Sequence, residues 1–111
     1  MILISYGDNR CTVYLTYSYI GQDLLVIITG GDKHIGGISL TDTNGILSIK
    51  KEGHKEDIIS KMVSPLIYEK TKKDTLVVCG IHLDNITKDE IDTIMENVKV
   101  CVNKFLKAID E

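Results

Sequence analysis

The period of the hydrophobic pattern changes partway along this chain, and that change limits the possible folds more than any other feature. Residues 10–20 alternate, with Cys11, Val13, Leu15, Tyr17 and Tyr19 on one side and Arg10, Thr12, Tyr14, Thr16 and Ser18 on the other. A period of two is the mark of a half-buried strand. From Lys55 onward the apolar pairs Ile58/Ile59, Met62/Val63 and Leu66/Ile67 recur every four residues, which is the spacing of one helix face. Strands therefore come first, and helices dominate the second half.

Around this switch the remaining elements fall into place. Met1 to Tyr6 reads as a short first strand closed by the turn Gly7-Asp8-Asn9, and Gly21-Gln22-Asp23 turns the chain after the alternating strand. Leu24 to Thr29 is apolar without alternation, as expected of a central strand covered on both faces. A strand from Ile35 to Thr41, the turn Asp42-Thr43-Asn44-Gly45 and a strand from Ile46 to Lys50 follow. Asn-Gly favours a hairpin because both residues tolerate positive φ, so the first half reads as an antiparallel meander. Pro65 should kink the first helix or split it near Ser64. Thr75 to Cys79 reads as a short buried strand and Gly80 to Ile86 as a connecting loop. The last helix opens on a capping box, Thr87 with Glu90. Its apolar stripe runs through Ile91, Ile94, Met95, Val98, Cys101, Val102, Phe105 and Ile109. The expected fold is α+β: a two-layer sandwich in which a mainly antiparallel sheet of about five strands carries two helices on one face. A single domain over residues 1–111 accounts for the whole chain.

Composition narrows the function classes. Hydrophobic residues at 43% and charged residues at 26% suit a globule with one core. A net charge of −3 argues against wrapping nucleic acid, which needs a concentrated basic face. The apolar run Leu24 to Ile28 is too short to span a membrane. No charged-then-apolar leader opens the sequence, and Cys11, Cys79 and Cys101 form no CxxC. Reduced thiols in a cytoplasmic protein are the expectation. Two helices cannot cover both faces of such a sheet, so a homodimer is expected.

Polar chemistry concentrates in three connections, each combining glycine, histidine and acid: Gly30 to Gly37 around His34, Gly53 to Asp57 around His54, and Gly80 to Asn85 around His82. In the first, Gly30, Gly31, Gly36 and Gly37 exceed what one turn requires. The surplus points to close backbone approach by a ligand or another chain, with Lys33 and His34 placed to hold an anion. A plain hairpin remains the competing account. The loop has neither P-loop spacing nor a following helix. At the second, helix capping by Glu56 and Asp57 is the plainer account of His54 and Lys55, and an anion site at the helix start is the functional one. At the third, Asp84 and Asn85 suit a turn, and His82 stands at a strand end where α/β units bind ligands. Separations of 20 and 28 residues between the histidines match no metal-binding pattern, so no metal ligands are assigned. No GxSxG is present, so no catalytic residues are assigned.

Taken in order, Leu24–Thr29, Gly30-Gly31-Asp32-x-His34-Ile35-Gly36, Gly53-His54-Lys55-Glu56-Asp57 and Gly80-Ile81-His82-x-Asp84-Asn85-Ile86-Thr87 resemble the prenylated-flavin chaperone domain. These are the small D-subunit-like proteins of gallate-type and other phenolic-acid decarboxylases. The resemblance covers about Arg10 to Leu106. It implies a fold similar to proteasome-assembly chaperones, a small α+β sandwich that dimerises. It also implies a non-catalytic carrier that binds prenylated FMN, or FMN, and helps load an apo-decarboxylase. The implied binding set is Gly30, Gly31, Asp32, Lys33, His34, Gly36, Gly37, His54, Lys55, His82, Asp84 and Asn85. Two other readings stay open: an assembly chaperone or interaction module without a ligand, and a small metal- or His/Asp-dependent enzyme.

Overall fold

A computed structural model describes residues 2–51 and 57–110. Six strands and two long helices form, in chain order β1 (Ile2–Tyr6), β2 (Val13–Ile20), β3 (Asp23–Gly31), β4 (Gly37–Asp42), β5 (Gly45–Lys50), α1 (Asp57–Thr71), β6 (Thr75–His82) and α2 (Lys88–Ile109). A single 3-10 turn, Asn9–Cys11, links β1 to β2. The architecture is the expected α+β sandwich, with six strands rather than about five.

The order of the strands in the sheet is β1-β2-β3-β6-β4-β5. This corrects the meander. β6 enters between β3 and β4, parallel to β3 and antiparallel to β4, and the remaining pairings are antiparallel. Local turn signals fix hairpins, but they carry no information about a strand that begins only at Thr75. The chain between β3 and β4 must therefore pass over β6, two strand spacings or about 10 Å. Asp32 N–H donates to the His82 carbonyl at 3.0 Å, and Gly36 N–H donates to the Cys79 carbonyl at 2.9 Å. Residues 32–36 thus form a strap tied to β6 at both ends. β6 also runs on to His82, so Gly80–His82 belong to a strand and not to a loop.

The core lies between the sheet and both helices. α1 covers β4, β5 and β6, and α2 covers β1 and β2. Val13, Leu15, Tyr17, Leu24, Val26 and Ile28 are buried against Ile94, Val98, Cys101, Val102 and Phe105. The Phe105 ring meets Tyr17 edge-on at 4.7 Å. The capping box forms as expected, with Glu90 N–H donating to the Thr87 hydroxyl at 3.1 Å and Thr87 N–H to the Glu90 carboxylate at 3.0 Å.

Two further expectations change. α1 is not split: it runs through Pro65. Of its apolar pairs only Ile59, Val63 and Ile67 are buried, while Ile58, Met62 and Leu66 are exposed. The second contact face of α1 is polar. Ser60 and Ser64 are fully buried. Ser60 bonds Ser39 at 2.7 Å, Ser39 bonds Ser48 at 2.6 Å, Ser64 bonds Thr41 at 2.8 Å, and Ser64 donates to the Thr75 carbonyl at 2.8 Å. Small hydroxyls that satisfy one another let the helix dock closely without leaving polar atoms unpaired. Removing one member strands its partners. Ser64→Ala is expected to cost about 1–3 kcal/mol, read as a lower urea midpoint at unchanged slope.

β3 is buried on alternate residues rather than on both faces. Leu24, Val26 and Ile28 are buried, and Leu25 and Ile27 are only half-buried. The register places Leu25 beside Leu76, Ile27 beside Val78, Val78 beside Ile38, and Ile38 beside Ile49. From β3 across β6 and β4 to β5, the sheet face away from the helices is therefore largely apolar and open within one chain.

Candidate functional site

Two of the three glycine-histidine connections meet where β3 and β6 end. The parallel register sets Gly30 beside Ile81 and Gly31 beside His82, so both strands deliver their loops to the same corner. The His34 and His82 rings lie 6.4 Å apart at an interplanar angle of 79°. His34 Nδ1–H donates to the Asp32 carbonyl at 2.9 Å. His82 Nε2 lies 3.0 Å from Asp84 Oδ1. Asp32, Lys33, His82, Asp84 and Asn85 are exposed, and His34 is half-buried. Gly53, His54, Lys55 and Glu56 lie outside the described residues.

The chain's own packing explains most of the glycines. A side chain at Gly80 would strike the His34 carbonyl, where the strap crosses β6. Gly31 has φ +58°, and a Cβ there would strike the His82 carbonyl. A Cβ on Gly37 would come within 2.6 Å of the Asp57 nitrogen, and one on Gly30 within 3.1 Å of the Thr12 carbonyl. The close backbone approach inferred from the glycine surplus is real, and at these positions the approaching backbone is the chain's own. Gly36 is buried and tied to Cys79. Asn85 has φ +52°, a conformation asparagine tolerates better than most residues, so its identity has a backbone reason as well.

Lys33 does not point into the corner. Its Nζ stands 5.1 Å from the Tyr14 ring centroid, a cation–π arrangement. Tyr14, His82 and Gly80 share the face of the sheet opposite the helices, by the alternation of β2 and β6. The corner thus opens toward the apolar face. It offers imidazoles, an amide and carboxylates beside apolar surface, with fewer cations than a phosphate cradle would want.

A separate cleft of about 580 Å³ lies beside the 3-10 turn, lined by Tyr6, Asn9, Arg10, Glu90, Thr93 and Asn97 among others. None of the residues assigned from sequence lines it. Arg10 donates to Glu90 through Nε at 2.6 Å and through a second guanidinium nitrogen at 2.8 Å. The buried Asn97 donates to the Cys11 carbonyl at 2.9 Å. The Arg10–Glu90 fork joins residues 80 apart, and no local motif announces it.

The chain matches the prenylated flavin chaperone LpdD-like domain over residues 7–110. It belongs to that chaperone family. Protein LpdD of Lactiplantibacillus plantarum (strain WCFS1) is 32% identical over 79 residues, covering 65% of this chain and 58% of LpdD. The match therefore spans a little over half the length of that relative. The fold is similar to a chain in the crystal structure of a novel chaperone complex for yeast 20S proteasome assembly. The TM-score is 0.60 at 12% identity, and 94% of each chain is covered. No helix among the described residues is long and apolar enough to cross a membrane.

The Arg10 fork and the Thr87 N–H hold the Glu90 carboxyl well below its usual range, at about 2. A depressed folded-state value adds stability above the unfolded value, near 4.5, which is lost as pH falls toward about 2. Glu90→Gln should therefore lower the melting temperature at neutral pH. The gap between variant and parent, followed by circular dichroism, should close progressively on acidification across that window.

Proposed function

We propose that the protein is a non-catalytic carrier that binds prenylated FMN, or FMN, at the β3–β6 corner and helps deliver it to an apo-decarboxylase. The observation that carries this reading is the meeting of the His34 and His82 loops at one corner, in a chain that matches the flavin-chaperone family over residues 7–110. His34, His82 and Asn85 supply polar partners for a flavin ring edge, and the neighbouring apolar sheet supplies a surface for its faces. Lys33 can turn from Tyr14 toward a phosphate. Asp32 and Asp84 at the corner, with His54 and Lys55 from the Gly53–Asp57 connection, complete the proposed binding set, and the glycines Gly30, Gly31, Gly36 and Gly37 shape the strap beneath it. No step of covalent chemistry is assigned to the chain; prenylated FMN would act only after hand-over.

Co-expression with a flavin prenyltransferase, followed by anaerobic purification, native mass spectrometry and an absorbance spectrum, tests the reading. The expected result is a flavin-mass adduct that His34→Ala and His82→Ala each weaken by tenfold or more. A protein free of flavin under these conditions overturns it.

The carrier is further proposed to act as a homodimer through the open sheet face. In β4 and β5 the usual polarity is inverted. Ser39, Thr41 and Ser48 face α1, whereas Ile38, Leu40, Leu47 and Ile49 face away from it. Leu47 is 64% exposed and Ile49 57%, an arrangement that favours a covering partner. Sedimentation velocity at tens of micromolar should show a dimer, and Leu40→Glu should convert it to monomer. A monomeric parent protein would reject this assembly.

A further inference from the structure

We propose that Asp32, His82 and Asp84 form a binding site for a first-row divalent metal ion. The histidine spacing in the sequence gives no hint of it, because the set uses one histidine and two carboxylates. One carboxylate comes from the strap and the other from the chain just beyond β6.

Three observations support the site. The first is distance. One ligand atom from each of the three residues lies within 4.8 Å of the other two. His82 Nε2 and Asp84 Oδ1 are 3.0 Å apart. Two ligands at right angles, each about 2.1 Å from one ion, stand about 3.0 Å from each other. His82 and Asp84 thus already hold the spacing of adjacent ligands. Asp32 must swing inward, and its exposure leaves it free to do so.

The second is how the ligands are held. Asp32 N–H donates to the His82 carbonyl, so strap and strand end are tied together at the residues that carry the ligands. His34 Nδ1–H holds the Asp32 carbonyl. The positive φ of Gly31 turns the chain at that point, and Leu83, between His82 and Asp84, is buried in the core. Backbone anchoring of this kind keeps a ligand set together when the side chains themselves are on the surface.

The third is charge. Asp32 and Asp84 place two carboxylates at one corner, while the nearby cations are engaged elsewhere: Lys33 over Tyr14, and Arg10 in its fork with Glu90. An ion takes the place of the 3.0 Å contact between His82 and Asp84 and neutralises both carboxylates. One imidazole with two carboxylates suits Mn²⁺, Fe²⁺ or Zn²⁺ and leaves open positions for water or an anionic ligand. An FMN phosphate could take such a position and would find there positive charge beyond that of Lys33. This use of the metal rests on the flavin-binding reading; the metal site does not.

The test uses the full chain without a histidine tag, stripped with EDTA and dialysed. Mn²⁺ and Zn²⁺ are titrated separately by calorimetry, and bound metal is counted after equilibrium dialysis. One ion per protomer is expected, with affinity weakened at least tenfold in Asp32→Asn and again in Asp84→Asn. Both replacements are isosteric and exposed, and circular dichroism checks that the variants fold. Absence of saturable binding of either ion overturns the proposal. So does binding that both variants retain at parental affinity, which would place the ion elsewhere. No flavin is present, so failure here leaves the carrier reading standing. Flavin titration of the EDTA-treated protein reads that proposal separately.

Discussion

The parallel pairing of β3 with β6 is the contact on which the rest of the molecule depends. By entering between β3 and β4, β6 forces the intervening chain to cross over it. That crossing explains the glycine-rich stretch in steric terms. Gly80 makes room for the His34 backbone, Gly31 turns the chain beside His82, and Gly37 lets α1 begin close to β4. The same crossing lays the strap over the end of β6 and so brings Asp32 and His34 beside His82 and Asp84. Fold and site are therefore one construction. A hairpin between β3 and β4, which the local sequence permits, would separate the two histidine loops by the width of a strand.

The sheet is unusual in which of its faces is polar. Under α2 the helix-facing residues are large and apolar, among them Leu15, Tyr17 and Ile28, with Phe105 above them. Under α1, β4 presents the small hydroxylated Ser39 and Thr41, and the helix meets them with Ser60 and Ser64. Ile38, Leu40, Leu47 and Ile49 are left on the opposite face. Hydroxyl contacts contribute little net energy beyond satisfying one another, so β4 and β5 are held against α1 without four of their large aliphatic side chains. Those side chains remain available for association, which gives the proposed dimer a physical reason.

Much of this was legible in the sequence, and the losses have identifiable causes. The alternation of Val13, Leu15 and Tyr17 and the stripe ending at Phe105 appear in the core as read, because each is a local period imposed by a single apolar face. The Thr87–Glu90 box likewise forms because both partners lie within one turn. The β3–β6 pairing, the Arg10–Glu90 fork and the serine contacts of α1 escaped because each joins residues far apart in the chain. Serine in particular gives no periodic signal, and the apolar residues beside it made the wrong stripe of α1 look like its core face. At the corner, His34, His82, Asp32 and Asp84 were all picked out by residue type, but their convergence required the strap.

The exposure of this corner bears on what kind of protein uses it. His82 and Asp84 sit in water, with side chains 52% and 81% exposed. A general acid–base pair gains its power from an environment that excludes solvent. A carrier has the opposite requirement: its ligand must leave, so part of the ligand has to stay reachable by the protein that receives it. An open corner bordered by an apolar sheet meets that need. In the proposed carrier the strap would shield one edge of a flat ligand while the other faces outward. In that arrangement affinity comes from a few anchored polar groups and a hydrophobic surface rather than from enclosure, and release does not require the core to open.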